Sequence, residues 1–599
     1  MIVVRLRALE LTLKFGLNVV THKVKVHFLE FTIKMCKRKF ESLLLRKKQS
    51  LMNQFLWKYR YYLLFGGIFI VYLFNMFIDI MEVDAAQYSV ISMEMSWTKS
   101  FLHVYEHGKD YLDKPPLLFW TTTLAYLTFG ISNFSYKLPS VLITLLGIYS
   151  TYRFAKLYYS KEIAVAAALI SASTQALFLI TNDVRTDSML LGLIMFSVWQ
   201  ISAYLQSRKS IHFILLAVGI AGAMMAKGPL ILIILVAGFG SEFLLKKQWE
   251  DIFNFRWIIL LILVGILLIP MCYGLYTQFD LHPEKTVYGL QGPSGLRFFF
   301  WIQSFGRITG ENYWSNDSGY FFFTHSILWD FQPWIFFFIP ALFLRVKSVF
   351  KHITKKLVFQ GEFVTVSAFV LVFIALSLSH YKLPHYIFVL FPFAAILTAN
   401  FLFNLSDSVR EKISKWHFGF MQLFWVAALL IMTIVFPINS IYVPLVITAL
   451  FILSWISFRA LKNRKERVIF PVLLISIGFN FMMATHFYPT LLTYQASSVV
   501  GREIRKKNLD VSLYAYESHA IHFNAQRFLP TWTTRELLDA EKGSLIFTNE
   551  AGYTEINDRR GAKLVKKFHS HRATLITLPF LMKYSREAQL SYEYLVELK

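Results

Sequence analysis

The chain has 599 residues, 56% of them hydrophobic and only 16% charged, with 59 Phe and 14 Trp. Soluble domains carry about 25% charged residues, and a soluble chain this long divides into polar-surfaced domains. The composition therefore excludes a soluble enzyme, a disordered chain and, despite a formal net charge of +24, a nucleic-acid-binding protein. The positive charge falls in short clusters between apolar runs, the pattern of cytoplasmic loops in polytopic membrane proteins. The two cysteines, Cys36 and Cys272, lie in very different segments and suggest no disulfide framework.

Residues 1–60 are basic, with twelve Lys/Arg against three Glu in the first fifty. They hold no long apolar region ending in a small-residue cleavage site, so a cleaved leader is not expected. We expect a cytoplasmic segment, with translation from Met52 as an alternative start. Apolar runs long enough to span a bilayer, at about 17–25 residues each, follow near 61–79, 138–158, 162–180, 188–206, 211–226, 229–245, 257–279, 327–344, 362–379, 386–404, 417–437, 439–458 and 468–488. The shorter run 116–131 opens with Pro-Pro and is expected to lie at the interface or dip in. With the N-terminus inside, the inner loops 153–161, 207–210, 246–256, 345–357, 405–416 and 459–467 hold 21 Lys/Arg, whereas the outer loops before residue 490 hold ten in about twice the length. This asymmetry satisfies the positive-inside rule, and a fully spanning 116–131 would invert it. Residues 490–599 then fall outside. "VSLYAY", "SLIFTN" and "ATLITL" predict strands there, and "TTRELLDAEK" a helix. The expected fold is an all-α polytopic membrane protein of about thirteen transmembrane helices, residues 61–489, with a small α/β extracytoplasmic domain over 490–599.

This topology gathers the unusual polar groups on the outer side. They are Glu82 and Asp84, Asp113 and Lys114, Asp183, Arg185 and Asp187, Lys227, Arg307, Glu311 and Asp317, and His380, Lys382 and His385. Ionisable groups at membrane depth are costly and are functional candidates by default. Taken singly, each has a plain reading as an interface marker, and Lys227 and Lys382 as snorkelling anchors. His103, His107 and His380 read more readily as solvated than as metal ligands. No HExxH or CxxC spacing is present, so no metal motif can be read, although a divalent ion is left open. Nor is there a phosphate loop or a GxGxxG fingerprint to support nucleotide use. Taken together, two carboxylates (Asp84, Asp187) and the cations Lys114, Arg185, Lys227 and Lys382 suit a lipid-linked phosphosugar. Carboxylates can deprotonate a hydroxyl, and Lys and Arg can hold a leaving phosphate.

The ordered set "DAAQY", "YLDKPPLLFW", "RTD", "KGP" and "YKLPHY", closed by "FYPTLLTYQ", resembles the C-type glycosyltransferase superfamily. Within it the set is most similar to the protein O-mannosyltransferase-like family, which includes bacterial aminoarabinose transferases. The resemblance covers about residues 60–500. It implies that Asp84 is the first-loop catalytic acid and Asp187 the second. It implies that Lys114 contacts the lipid phosphate, with Arg185, Lys227 and Lys382 near the cavity. Arg307 and His380 join them as substrate-binding candidates. There are departures: Ala85 follows Asp84 where the family often has a second acid, and Gln303 and Ser304 precede Arg307 where aminoarabinose transferases have Glu-His.

The expected activity is sugar transfer, with inversion, from a polyprenyl-phosphate (undecaprenyl-phosphate) donor to an envelope acceptor. The acceptor is lipid A, a protein or another glycan, reached at the periplasmic face of a bacterial inner membrane. Membrane lipids are the surrounding partners, and neither nucleotide nor nucleic acid is expected. The alternative is a lipid-linked sugar transporter, which paired repeats and helices broken at mid-membrane would mark.

Overall fold

A backbone in hydrocarbon must satisfy its own N–H and C=O groups, so long runs of Leu, Ile, Val and Phe close into helices. The computed structural model describes residues 58–303, 306, 318–355, 361–438 and 440–599. Residues 1–66 and 67–599 form two compact units, and in the first only the opening of a helix over 58–75 is described. The thirteen apolar runs are helical over most of their described length. Among the described residues, seven helices are long and apolar enough to cross a membrane, or eight if the bent pair Lys161–Ser173 and Gln175–Asn182 is counted as one span. The chain is a multi-pass membrane protein. Leu117–Phe129 has 13 residues. At 1.5 Å per residue that is about 20 Å, short of the roughly 30 Å of hydrocarbon.

The bent pair turns by 52° at Thr174. Thr174 leaves the helical region (φ −64°, ψ 148°), and its hydroxyl accepts from the Leu177 N–H to start the second piece. The bend is fixed from outside: Gln175 N–H donates to the Gln332 carbonyl at 3.0 Å, and Trp334 Nε1 donates to Ser173 Oγ at 2.9 Å. Helices Asn133–Tyr158 and Thr186–Ser207 approach at Gly147 and Gly192. A Cβ added at Gly192 would lie 2.1 Å from the Ile143 carbonyl oxygen.

The loop between the first apolar run and the helix Leu117–Phe129 is built rather than slack. A hairpin, Tyr105–Glu106 against Lys109–Asp110, turns on His107 and Gly108, both at positive φ. Gln278, near the end of the apolar helix, bonds both the N–H and the carbonyl of Val104 and the Asp110 carboxylate. The Lys114-Pro115-Pro116 element is thereby held against neighbouring helices.

Residues 511–598 contain a five-stranded mixed sheet. Its order is Thr531–Trp532, Val511–Tyr514, Leu545–Asn549, Ser591–Leu598, Ala562–Ser570, the first three parallel and the last two joins antiparallel. Alternation along the strands sends Leu513, Phe547 and Leu595 to one face, against Val500 and Ile504 of helix Ala496–Lys507. Tyr514, Ile546 and Val596 go to the other face, against Leu537 and Ile556.

Two of the three expected strands form. "ATLITL" does not: Thr577 instead caps the short helix Leu578–Leu581, and Leu575 and Leu578 are exposed. The missing place is taken by Ala562–Ser570, whose Lys-rich sequence hides a strand. It lies at the sheet edge and is held by its backbone ladder to Ser591–Leu598.

Candidate active site

Separate stretches of chain supply the charged residues in and around one cavity, with Lys114, Asp187, Lys227 and Tyr386 in its lining and Asp84 and Arg185 not among the lining residues. Asp84 opens the helix Asp84–Thr98, where a carboxylate suits the unpaired N–H groups of a first turn. Arg185 stands at the N-cap of Thr186–Ser207, with Asp187 in its first turn. Lys227 is the last residue of Ser210–Lys227, closed by Gly228 at φ +93°. Pro384 starts the helical turn Pro384–Leu390 and presents His385 and Tyr386.

Arg185 bridges two acids. Its Nη1 lies 2.5 Å from Asp84 Oδ2, and its Nη2 2.9 Å from Asp183 Oδ2. The Asp84 side chain keeps 39% of its surface exposed. Asp187 keeps 3% and pairs with Lys227, whose Nζ is 2.5 Å from Oδ1, while His385 Nε2 stands 3.6 Å from Oδ2. Lys227 also stands 4.0 Å from the centroid of the Tyr386 ring. Lys114 pairs with Asp113 at 2.5 Å. Gln303 Nε2 donates to both the carboxylate and the carbonyl of Asp113.

Lys114, Asp187, Lys227, Gln303 and Tyr386 line an open cavity whose empty space, with the solvent-open mouth included, is about 960 Å³. Asp113 and Ser379 also line it, and Leu230, Ile233, Phe299, Val372 and Leu376 give it an apolar stretch. Arg185, Lys227 and Lys114 all act electrostatically on His385, and Asp84, Asp113 and Arg185 all act on Tyr88. The Asp84–Arg185 pair and the cavity thus belong to one charged neighbourhood.

Of the residues expected from sequence, Asp84, Lys114, Arg185, Asp187 and Lys227 come together. Lys382 is buried and donates to the Ser318 carbonyl at 2.8 Å, away from the cavity wall. His380 is exposed and does not line the cavity. Arg307, Ser304, Glu311 and Asp317 lie outside the described residues. The sequence reading counted Asp113 and His385 among the ionisable groups on the outer side without assigning them a role, and did not single out Tyr386. Tyr386 had no signal beyond its place beside His385 in "YKLPHY". Among the described residues, no three His, Cys, Asp or Glu are grouped to hold a metal ion.

A family model described as dolichyl-phosphate-mannose-protein mannosyltransferase matches residues 113–273. The chain is 24% identical over 371 residues to undecaprenyl phosphate-alpha-4-amino-4-deoxy-L-arabinose arabinosyl transferase 2 of Proteus mirabilis, covering 61% of this chain and 63% of that protein. It is 22% identical to an uncharacterized protein of Aquifex aeolicus, covering 81% of this chain and 90% of that one. The crystal structure of ArnT from Cupriavidus metallidurans bound to undecaprenyl phosphate superposes with a TM-score of 0.68 at 18% identity, covering 89% of this chain and 97% of that one. The apo form of the same protein gives 0.69 at 15% identity with the same coverage.

Proposed function

We propose that this chain, a C-type glycosyltransferase of the protein O-mannosyltransferase-like family, transfers a sugar from a polyprenyl-phosphate donor to an envelope acceptor at the periplasmic face of a bacterial inner membrane. The observation that carries this reading is the cavity itself. Lys114 and Lys227, each beside an aspartate that also lines it, share the cavity with Leu230, Ile233, Phe299, Val372 and Leu376, a combination that suits an anionic head on an apolar tail. The relatives named for an undecaprenyl-phosphate donor support the same class.

In this reading the donor phosphate lies at Lys114 and Lys227, drawing Lys114 from Asp113, and the prenyl tail follows Leu230, Ile233, Phe299 and Leu376. An acceptor hydroxyl or phosphate oxygen attacks the anomeric carbon. The bond from that carbon to the lipid phosphate oxygen breaks, and the electron pair leaves with the phosphate. A hydroxyl acceptor gives its proton to Asp84. One displacement inverts the carbon, and the cations stabilise the charge as it gathers on the phosphate. Asp84 is the more open carboxylate and suits the acceptor. Asp187, held by Lys227 and His385, keeps those two groups in place. All thirteen helices are read as spanning, with residues 490–599 outside, on the strength of the loop charges.

The test is transfer from a synthetic polyprenyl-phosphate sugar to an envelope extract by enzyme in nanodiscs. Asp84→Asn keeps the shape and removes the basicity, and is expected to lose at least ~100-fold in rate. Equal rates for Asp84→Asn and wild type would remove Asp84 from the chemistry. Movement of donor across a bilayer without transfer would favour a transporter.

A further inference from the structure

The segment that ends in Asp84 is held by residues more than four hundred positions away. The Ile80 carbonyl accepts from Gln495 Nε2 at 3.0 Å, and the Glu82 N–H donates to Gln495 Oε1 at 3.1 Å. The Glu82 carboxylate accepts twice on Oε1, from the Ser518 hydroxyl at 2.5 Å and from the Ala520 N–H at 2.6 Å. These partners are themselves fixed. Gln495 donates to Ser498 Oγ at 2.6 Å, and Asn524 reaches the same hydroxyl at 3.3 Å. Gln495, Ser498 and Asn524 are all buried.

We propose that Glu82 is a positioning residue: through its carboxylate, the sheet-bearing C-terminal region sets where Asp84 stands. The proposal rests on the reading of Asp84 as the acceptor-facing carboxylate. Two residues of chain span at most about 7 Å, so a displacement at Glu82 reaches Asp84 with little slack. A misplacement of about 1 Å at a reacting group can cost on the order of 100-fold in rate. Bonds from neutral donors to a carboxylate are charge-assisted and short, which suits a fixed point better than an amide would. The Arg185 contact orients the Asp84 side chain, and Glu82 holds the backbone that leads to it.

The experiment uses the full chain in nanodiscs and reads two quantities. The first is steady-state transfer from a synthetic polyprenyl-phosphate sugar. Ser518→Ala and Glu82→Gln are expected to lower kcat by roughly 3- to 10-fold, and Glu82→Ala by roughly 10- to 100-fold, with donor KM changed by less than about 2-fold. The double variant Glu82→Ala/Ser518→Ala should be no slower than Glu82→Ala, because the two act through one contact. The second is amide hydrogen exchange. Ser518→Ala and Glu82→Ala should speed exchange over residues 80–88 and leave strands 545–549 and 591–598 protected. Unchanged exchange over 80–88, or full kcat in Glu82→Ala, overturns the proposal. An inactive wild type overturns the transfer reading, while the exchange measurement still decides the contact.

Discussion

Asp84 and Asp187 are the same side chain in one neighbourhood, yet their surroundings give them different work. Asp84 meets Arg185 through one oxygen and keeps much of its surface open. Asp187 is buried between Lys227 and His385. Removing one partner of a buried pair leaves the other charge uncompensated, at a cost of about 3–5 kcal/mol. Lys227→Ala should therefore harm the protein as well as donor use. Asp187→Asn should mimic it, and the double variant should be less than additive, as read by a thermal-shift and rate cycle. Lys114 is different: it is partly exposed and its partner Asp113 retains Gln303. Lys114→Ala is expected to weaken donor use by about 1.5–3 kcal/mol of charge-assisted contact with little change in unfolding temperature. Lys114→Arg should rescue in part, since a planar fork replaces a point charge. Unaltered donor dependence in Lys114→Ala would leave this lysine an interfacial anchor.

At the scale of elements, the position of Asp187 depends on how closely its helix packs. Gly192 lies five residues after Asp187 in the same helix, against the Ile143 carbonyl. Gly192→Ala puts a methyl where backbone already stands, so the helices must part. Overpacking of this kind costs about 1–3 kcal/mol, and both unfolding temperature in detergent and transfer rate should fall. Gly265 provides the contrast: it lies within helix Arg256–Leu275, and nothing stands within 4 Å of an added Cβ. Gly265→Ala is expected to be neutral or to stabilise by up to about 1 kcal/mol, the helix-propensity difference. A Gly192→Ala protein as stable as wild type would show that the helix pair can relax without loss.

On the scale of the whole molecule, the hairpin loop around His107 and the C-terminal region share a histidine-rich contact. The His107 ring stacks on Phe528, with centroids 4.5 Å apart, and meets His522 at 4.6 Å. His519 lies 3.5 Å from Glu106, and Leu529 N–H donates to His522 Nδ1. Burial, with His519 and Lys109 nearby, holds His107 down at about 4, and burial with the other two histidines holds His522 at about 3. Both are below the ordinary 6.5, so the folded state binds fewer protons than the unfolded one. Stability from this contact is full above pH 6.5 and falls as pH drops from there toward 4. Unfolding temperature should decline across that window, and less steeply in His107→Phe. An equal slope in both proteins would remove His107 from the effect. Orientation is tested separately: with the native cysteines replaced, a cysteine at Asn557 should react with an impermeant thiol reagent in intact cells, and cysteines at Ser210 and Lys355 should not.

The sequence by itself determined the membrane class, because a bilayer leaves long apolar runs only one local solution. It also determined the cluster Asp84, Lys114, Arg185, Asp187 and Lys227, because charges at helix ends in an apolar chain are few enough to read one by one. Tertiary structure decided the rest. It chose which acid pairs with which cation, a matter of side-chain geometry across helices that sequence spacing does not encode. It brought His385 and Tyr386 under Lys227 and turned Lys382 toward Ser318. It made Ala562–Ser570 a strand where "ATLITL" had the better composition, because an edge strand is held by its backbone ladder rather than by its side chains. And it tied Glu82, an ordinary-looking loop acid, to Ser518 and Ala520, a contact between residues so far apart in the chain that only the folded molecule brings them together.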